Sequence, residues 1–300
     1  MNAQKRFQKV NIEISNICNL QCSFCPPVER SKKLMDINLF EKIISEVAPL
    51  TDQVALHLMG DPLVHPKLQQ FLDICSLRTV PVFLVTNGVL MRDHQSDLLL
   101  HSTIRQVNFS LHSFFDNHPD ADPTTYLEQI FRFTETAIVK RPDLYINYRL
   151  WNLDSPQGTG AKNREMLKRI EERFDFTPNP SSDVRVQKSK RIKNRLYLHL
   201  DTEFTWPAMS LPQLGVQGTC LGLTSHFGIL ADGTVVPCCL DKEGDIPLGR
   251  IGDQSIVEIL VSERVQNILR GFKSRKLVED LCKRCQYIER FEQKTMNQVL

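Results

Sequence analysis

The sequence predicts an α/β fold in which a partial, TIM-like (β/α)6 barrel is followed by a small cysteine-rich domain. Over the first two thirds of the chain, short apolar segments typical of strands alternate with amphipathic segments typical of helices. This alternation favours a parallel sheet with right-handed crossovers. The predicted strands are Val10–Ser15, Gln53–Met59, Val82–Thr86, Gln106–His112, Leu144–Leu150 and Arg195–Asp201.

Three of the intervening helices have recognisable ends. Asp36 can cap the first helix, and Pro49 stops it. Pro66 and Pro123 each stand where proline commonly begins a helix. Functional residues of such a barrel are found at the carboxyl ends of its strands, so the loops that follow the strands are where we look for them.

The amino-acid composition changes near residue 206, where proline, glycine and cysteine become more frequent. We place a boundary near Thr205–Pro207, which gives a barrel domain over residues 1–205 and a smaller domain over residues 206–300. Two helices are predicted in the smaller domain, one over Ser255–Phe272 and a shorter one past Arg284.

Composition and charge describe an ordinary globular chain. It has 300 residues, of which 41% are hydrophobic and 24% charged, and a formal net charge of +2. No apolar run approaches the ~20 residues of a membrane span, and no secretory signal is evident. Nine cysteines, seven of them in spacings typical of metal sites, favour a reducing compartment. We therefore expect a cytoplasmic protein with no membrane partner.

Cys18, Cys22 and Cys25 form a C-x3-C-x2-C loop directly after the first predicted strand. Three thiolates suit a [4Fe–4S] cluster with one open iron, whereas a structural zinc site needs four protein ligands. At this point the chain resembles the radical S-adenosylmethionine (SAM) enzymes, in which the open iron holds the amino and carboxyl groups of SAM. Phe24, the aromatic residue before the third cysteine, also fits that family.

The resemblance continues after the second strand, at Met59-Gly60-Asp61-Pro62. The family usually has Gly-Gly-Glu-Pro there, and that stretch holds the amino group of SAM. Met59 replaces the first glycine and Asp61 replaces the glutamate. An aspartate still accepts hydrogen bonds from an ammonium group, so the resemblance implies that Gly60, Asp61 and Pro62 bind SAM.

Further contacts with SAM are implied at the ends of the next three strands. Ser110 matches a place where the family often has a ligand for the ribose hydroxyls, and alternation along a strand puts His112 on the same face. Tyr148 and Arg149 stand where family side chains meet either SAM or the substrate. The implied SAM-binding residues here are Thr86, Asn87, Ser110 and His112.

The resemblance implies an oxidoreductase that cleaves SAM reductively. One electron, from a low-potential donor such as flavodoxin or ferredoxin, enters the cluster, and the C5′–S bond of SAM breaks. The 5′-deoxyadenosyl radical then removes a hydrogen atom from a substrate. The protein binds and orients the reactants and excludes water.

A second set of cysteines, Cys220, Cys238, Cys282 and Cys285, stands in the C-terminal segment. With Gly233 at a hairpin turn before Cys238, it resembles the SPASM extension of radical SAM proteins, in the shorter four-cysteine form called Twitch. The resemblance implies an auxiliary [4Fe–4S] cluster. Four cysteines also make structural zinc sites, so zinc stays open.

The two cysteines outside these sets have different interpretations. Cys75 lies on an apolar helix stripe and is predicted to be a core residue. In SPASM enzymes the residue after the hairpin cysteine can act on the substrate, which makes Cys239 a candidate base or hydrogen donor, although an inert buried thiol is the plainer interpretation. Asp241 is a second candidate base.

The predicted function is a radical SAM enzyme, oxidoreductase or maturase-like, that oxidises or cross-links a peptide or a small molecule. Two alternatives stay open. The basic run from Arg185 to Arg195 could bind RNA in an RNA-modifying enzyme, although a solvated face is the simpler interpretation. The departures at Met59 and Asp61 also leave room for a non-catalytic iron–sulfur or zinc protein on the same scaffold.

Overall fold

The structure is a computed structural model that describes residues 7–153, 160–177 and 188–288. Strands and helices alternate through its first part. The strands are β1 (Lys9–Ile12), β2 (Val54–Ala55), β3 (Val82–Thr86), β4 (Ile104–Ser110), β5 (Tyr145–Leu150), β6 (Ser189–Lys193), β7 (Leu196–Leu200), β8 (His226–Ile229), β9 (Thr234–Val236) and β10 (Gly249–Arg250). The α-helices are α1 (Ile37–Val47), α2 (Leu68–Leu77), α3 (Asp93–Leu99), α4 (His112–Asn117), α5 (Thr124–Lys140), α6 (Gly160–Phe174), α7 (Ile256–Val261) and α8 (Glu263–Lys273).

These strands form one mixed sheet in the order β10-β9-β8-β1-β2-β3-β4-β5-β7-β6. The neighbours from β8 through β1 to β7 are parallel, and β6, β9 and β10 join them antiparallel at the two edges. The six predicted strands correspond to β1, β2, β3, β4, β5 and β7, in chain order. The predicted α/β fold class, with a parallel barrel-like sheet, is confirmed.

The two faces of the sheet differ in chemistry. On β5, Ile146, Tyr148 and Leu150 are buried, and the residues between them are only partly buried. The Tyr148 hydroxyl lies 2.6 Å from Thr134 Oγ1 of α5, so this is the helix-covered face. Period-two alternation therefore sends Asn147 and Arg149 to the opposite, concave face, where polar side chains collect.

The predicted helix starts agree with the structure. The Asp36 carboxylate accepts hydrogen bonds from the backbone amides of Asn38 and Leu39 at the start of α1. The helices α2 and α5 begin within two residues of Pro66 and Pro123. The stacked rings of Phe40 and Phe71, 4.2 Å apart, join α1 to α2, and Cys75 is fully buried in the same core, as predicted.

Several predicted elements differ from the structure. The strands predicted over residues 10–15 and 53–59 end earlier, at Ile12 and Ala55. The strand predicted through His112 ends at Ser110, and His112 begins α4 instead. The helix predicted over residues 255–272 breaks at Ser262, whose extended backbone and side chain cap α8. The helix predicted past Arg284 is only a 3-10 turn at Gln286–Ile288 in the described part, and the rest of that segment lies outside it.

The sheet continues across the predicted boundary near residue 206. The C-terminal strand β8 pairs in parallel with β1 over four residues, from Lys9–His226 to Ile12–Ile229. No helix intervenes between β7 and β8, where residues 201–225 are all described. In the described ranges, no helix is both long and apolar enough to cross a membrane.

Candidate iron–sulfur and SAM site

The loop after β1 carries the first three cysteines. Asn16 closes its base, because its side chain donates to the Ser31 carbonyl at 2.9 Å and accepts from the Lys33 amide at 2.7 Å. Inside the loop the three thiols are near enough to act on one another electrostatically. Burial, with the neighbouring thiols of Cys22 and Cys18, raises the pKa of Cys25 to about 12.

This donor set fits an iron–sulfur cluster. Thiolates are the ligands that such clusters take, and metal binding replaces the proton that burial otherwise retains on the sulfur. The residues that would hold the cluster are Cys18, Cys22 and Cys25. Three ligands leave one iron open for another molecule.

Helix α4, which the sequence reasoning missed, fixes this loop. The Asp116 carboxylate accepts a hydrogen bond from the Ser23 hydroxyl at 2.6 Å. The Asn117 side chain accepts from the Gln21 amide at 2.8 Å and donates to the Cys22 sulfur at 3.1 Å. Only the pairing of a short helix with a loop some 90 residues earlier brings these groups together, so no local sequence pattern could have identified them.

The C-terminal segment holds the other side of the loop. The Lys242 ammonium donates to the Pro27 carbonyl at 2.9 Å, and Arg30 Nε donates to the Lys242 carbonyl at 2.7 Å. The Arg30 guanidinium also contacts both carboxylate oxygens of Glu13, at 3.0 and 2.9 Å. Glu13 lies just past β1 with its side chain fully buried, so this pair ties the loop to the sheet.

Asp61 joins the second and third strand ends. Its buried carboxylate accepts hydrogen bonds from the Leu63 amide at 2.9 Å, the Asn87 amide at 2.8 Å and the Thr86 hydroxyl at 2.9 Å. The predicted SAM-binding residues after β2 and β3 are therefore brought into contact. In this structure the Asp61 carboxylate holds backbone amides, and its contact with the SAM amino group stays a prediction.

Gly60 is required by the close approach of two loops. Its φ is +72°, and a Cβ there would lie 2.4 Å from the Ser15 carbonyl and 2.6 Å from the Ile17 carbonyl. Only glycine fits such a position. The backbone after β2 thus lies directly against the start of the cysteine loop, with Pro62 beginning a 3-10 turn behind it.

Phe24 and His112 meet above the end of β5. Their ring centroids are 4.8 Å apart, and His112 Nδ1 lies 3.1 Å from the Arg149 carbonyl. Burial lowers the pKa of His112 to about 4, so the ring is neutral near pH 7. Ser110 ends β4 next to Arg149, its register partner on β5.

The structure separates the two candidates on β5. Tyr148 is fully buried on the helix-covered face with its hydroxyl against Thr134. Arg149 lies on the concave face, where its guanidinium carbon is 4.3 Å from the centroid of the Trp151 ring. Of the two, only Arg149 is placed to meet a bound molecule.

The second cysteine set also comes together. Cys238 lies two residues past the hairpin β8–β9, Cys282 begins a 3-10 turn (Cys282–Arg284), and Cys285 directly follows that turn. Burial and neighbouring thiols raise the pKa of Cys282 and Cys285 above the ordinary thiol value, and Cys220 contributes to both shifts. This donor set fits a second cluster whose ligands would be Cys220, Cys238, Cys282 and Cys285.

Cys239 lies between the two cysteine sets. A small apolar cluster, which we call the bridging cluster, consists of Leu58, Met59, Leu230 and Val236. Both Cys25 and Cys239 pack against it. The neighbouring Cys239 thiol, after burial, helps to raise the pKa of Cys238, and the positive charge of Lys9 acts on Cys239.

Asp241 has a structural arrangement of its own. It is fully buried, and its two oxygens accept hydrogen bonds from the amides of Asp245 at 2.8 Å and Ile246 at 2.9 Å. Burial raises its pKa to about 6. The carboxylate therefore closes the turn after Cys239, and its role as a base stays a prediction.

The basic run lies on the β6–β7 hairpin. Lys188 forms an ion pair with Asp201 at 2.8 Å, Arg191 donates to the Asn194 carbonyl, and Arg195 donates to the Asp143 carbonyl. Arg185 is outside the described residues. Lys188, Arg191 and Arg195 thus have partners within the chain, which favours a solvated surface over an RNA-binding one.

Comparison with known proteins places this site in a family. The description "Radical SAM superfamily" matches residues 12–148, and the SPASM description, "Iron-sulfur cluster-binding domain", matches residues 220–286. A GTP 3',8-cyclase from Microcystis aeruginosa is 24% identical over 303 residues, covering 87% of this chain and 89% of that protein. A GTP 3',8-cyclase from Chlorobaculum tepidum is 30% identical over 108 residues, which are 34% of this chain and only 32% of that protein.

Solved structures share the fold. The structure of BtrN in complex with AdoMet and 2-DOIA superposes with a TM-score of 0.56 at 14% identity, covering 95% of this chain and 94% of that one. Streptococcus suis SuiB bound to the precursor peptide SuiA gives a TM-score of 0.63 at 14% identity, covering 96% of this chain and 73% of that one.

The fold and the two cysteine sets define an iron–sulfur protein built on a partial (β/α) barrel. The chain belongs to the radical SAM superfamily, carries a SPASM-type iron–sulfur domain at its C-terminal side, and is an enzyme. Its cofactors are a [4Fe–4S] cluster and SAM in the radical SAM domain, and auxiliary iron–sulfur clusters in the SPASM-type domain. The family match favours iron–sulfur over the zinc that the cysteine count left open.

Proposed function

We propose that this enzyme carries out a two-electron oxidation or a cross-linking of a peptide or a small molecule. The observation that carries the proposal is the placement of Cys239 between the two cysteine sets, on the bridging cluster shared with Cys25. A substrate on the concave face would then lie between the site of hydrogen abstraction and an electron acceptor.

The bound cluster and SAM supply a 5′-deoxyadenosyl radical that takes one hydrogen atom from a substrate C–H bond. The chain's own residues hold the reactants in place. Asp61 holds the Thr86 hydroxyl and the Asn87 amide, and the Phe24 and His112 rings, in contact at 4.8 Å, would close one side of the site. Buried surroundings of this kind exclude water from a reactive intermediate.

The substrate radical then loses one proton and one electron. Cys220, Cys238, Cys282 and Cys285 would hold the auxiliary cluster, which, when bound, would supply a one-electron acceptor for this electron, and a base near the substrate would take the proton. Cys239 is the candidate for that base, or for a hydrogen donor in a redox-neutral variant, because it packs on the bridging cluster with Cys25, whereas Asp241 is engaged with two backbone amides. A low-potential donor such as flavodoxin or ferredoxin supplies the first electron.

The proposed substrate class is supported by the names of fold neighbours and of sequence relatives. SuiB is a fold neighbour bound to a peptide, and BtrN is one bound to 2-DOIA. The relatives at 24–30% identity carry the name of a nucleotide cyclase. These names support a peptide or a small molecule as the class of substrate.

The first experiment is anaerobic reconstitution with iron and sulfide, followed by incubation with SAM and dithionite and chromatography for 5′-deoxyadenosine. Two clusters of four irons would give about eight irons per chain. Cys22→Ala should abolish 5′-deoxyadenosine, and Cys238→Ala should lower the iron to about four while SAM cleavage is retained. Cys75→Ala, which removes a buried core thiol outside both sets, is the matched control and should keep the full iron content.

Each other outcome contradicts a distinct part of the proposal. Bound iron without 5′-deoxyadenosine would indicate a scaffold that binds but does not react. About four irons together with bound zinc would leave the radical chemistry intact and remove the auxiliary electron path. With a substrate in hand, Cys239→Ser should lose product while SAM cleavage continues, and unchanged product formation would exclude Cys239 as the base.

A further inference from the structure

The concave face of the sheet carries positive charge beside the two cysteine sets. Lys9 Nζ of β1 lies 5.3 Å from the centroid of the Phe83 ring, and the Arg149 guanidinium carbon of β5 lies 5.9 Å from the same centroid. His57, two residues past β2, is near enough to both for their charges to act on it. Burial, with these two charges, lowers the pKa of His57 to about 3. Two cations from separate strands therefore lie against one aromatic ring, with His57 near both.

Polar atoms of this cluster are buried without partners. Among the described residues, Arg149 Nε and His57 Nδ1 are shielded from solvent and make no hydrogen bond, and so is Asn108 Nδ2 on β4. Asn108 and Asn147 are register partners, and Arg149 follows Asn147 by one repeat on the same face. The open donors of β4 and β5 are thus neighbours on one surface.

Nearby acidic side chains are already engaged elsewhere. Glu13 is paired with Arg30, and Asp61 holds the Leu63 and Asn87 amides. Asp201, which acts on His199, the register partner of Arg149 on β7, is paired with Lys188. Over residues 7–153, 160–177 and 188–288, neither Lys9 nor Arg149 has a carboxylate partner.

Aromatic contacts alone do not satisfy these groups. The faces of Phe83 and Trp151 attract the cations, but a guanidinium has five N–H donors that need acceptor oxygens in its plane. A buried charge without a partner is strongly unfavourable. In the described part of the chain, two cations without a carboxylate partner lie beside buried polar atoms of His57 and Asn108 that make no hydrogen bond. Such a combination is typical of an anion-binding site.

We propose that the substrate carries an anionic group, a carboxylate or a phosphate, that binds to Arg149 and Lys9 with His57 and Asn108 as further hydrogen-bond partners. The inference rests on the proposed function, since it takes the concave face as the substrate site. Arg149 would bind two anion oxygens at once. Because the charge of Lys9 also acts on Cys239, an anion held here places the rest of the substrate beside the candidate base.

The test is anaerobic calorimetric titration of the reconstituted enzyme with pyrophosphate and, separately, with succinate, in the presence of SAM and without reductant. The variants are Arg149→Gln, Lys9→Gln and Arg149→Lys. The matched control is Arg105→Gln, because Arg105 is an exposed arginine whose guanidinium carbon lies 5.9 Å from the Tyr145 ring. Iron content and melting temperature verify that each variant is folded.

The expected result is that the wild type binds at least one of the two anions. Arg149→Gln and Lys9→Gln should weaken that binding at least about tenfold, Arg149→Lys should weaken it less, and Arg105→Gln should leave it unchanged. Binding of pyrophosphate alone assigns a phosphate, and binding of succinate alone assigns a carboxylate.

Two outcomes overturn the inference: no anion binding by the wild type, or equal binding by Arg149→Gln and the wild type. If Arg149→Gln instead loses affinity for SAM, the guanidinium serves the SAM carboxylate and the substrate assignment is wrong. Failure of the proposed function is distinguishable, because it shows as a wild type that forms no 5′-deoxyadenosine whether or not it binds anions.

Discussion

Asn117 donates a hydrogen bond from its side-chain nitrogen to the sulfur of Cys22, at 3.1 Å. The same nitrogen donates to the Ser113 carbonyl at 2.9 Å, and the side-chain oxygen accepts from the Gln21 amide at 2.8 Å. One amide on α4 therefore fixes both the backbone of the cysteine loop and the electronic surroundings of one ligand. Hydrogen bonds to cluster sulfurs are among the features that set a cluster's reduction potential.

Asn117→Leu should lower the reduction potential of the SAM-binding cluster. The lost hydrogen bond stabilised the more negative, reduced state, and a hydrogen bond of about 1 kcal/mol corresponds to a shift on the order of 40 mV for one electron. A redox titration followed by electron paramagnetic resonance measures it. Asn38→Leu, at an exposed position on α1, should leave the potential unchanged. An unchanged potential in Asn117→Leu with intact iron would show that this contact is only structural.

Asp61→Ala should destabilise the fold by about 3 kcal/mol, because it leaves the buried Leu63 amide, Asn87 amide and Thr86 hydroxyl without an acceptor. Denaturant unfolding of the reconstituted protein measures the loss. Asp52→Ala, which changes an exposed aspartate in a loop, should stay within about 0.5 kcal/mol of wild type. If both variants were equally stable, the carboxylate would not hold the strand ends together.

Arg30→Met should cost about 3 kcal/mol, since it leaves the fully buried Glu13 carboxylate without its cation. The double variant Glu13→Gln with Arg30→Met should recover part of that loss, because the uncompensated charge is gone. The exposed pair of Arg132 and Glu128 is the control, and Arg132→Met should cost only about 0.5 kcal/mol. Additive losses in the double variant would contradict direct coupling of Glu13 and Arg30.

The stability of the protein should fall as pH drops from 7 to 5, in part because of His112. Burial lowers its pKa from 6.5 to about 4, so below pH 6.5 the unfolded chain binds a proton that the folded chain does not. The stability is complete above pH 6.5 and is lost progressively below it. The loss from this group between pH 7 and pH 5 is on the order of 2 kcal/mol.

His112→Gln should flatten this pH dependence, and unfolding free energies measured at several pH values between 5 and 7 report it. His94→Gln, at an exposed position on α3, should keep the wild-type profile. A wild-type slope retained in His112→Gln would assign the acid sensitivity to other buried histidines, such as His226, whose pKa burial lowers to about 4.

Local patterns in the sequence carried much of the fold. Asp36 and the prolines near α2 and α5 mark helix starts through their own side chains and fixed φ angles. The apolar run of β3 identifies a strand buried along most of its length, and the alternation along β5 identifies one buried on one face. The break at Ser262 escaped prediction, because the apolar period continues across it and only the cap geometry interrupts the helix.

The candidate site divides in the same way. Cysteine spacing is a local property, so the first three cysteines could be recognised as one loop. Asn117, Asp116 and Arg30 could not be identified, because each acts on a residue that only the packing brings near. Tyr148 and Arg149 are adjacent in sequence, and only the register of β5 shows that one faces the helices and the other the concave face.

The sequence by itself determined the family chemistry of this protein, since thiolate number and spacing limit which cofactor a loop can hold. The tertiary structure decided which side chains surround that cofactor. Lys9 on β1, His57 just past β2 and Arg149 on β5 are far apart along the chain, and they come together because neighbouring parallel strands turn alternate side chains to the same face. Whether Lys9 and Arg149 have a carboxylate partner depends on how the neighbouring acidic side chains are already paired. Only the folded chain determines those pairings.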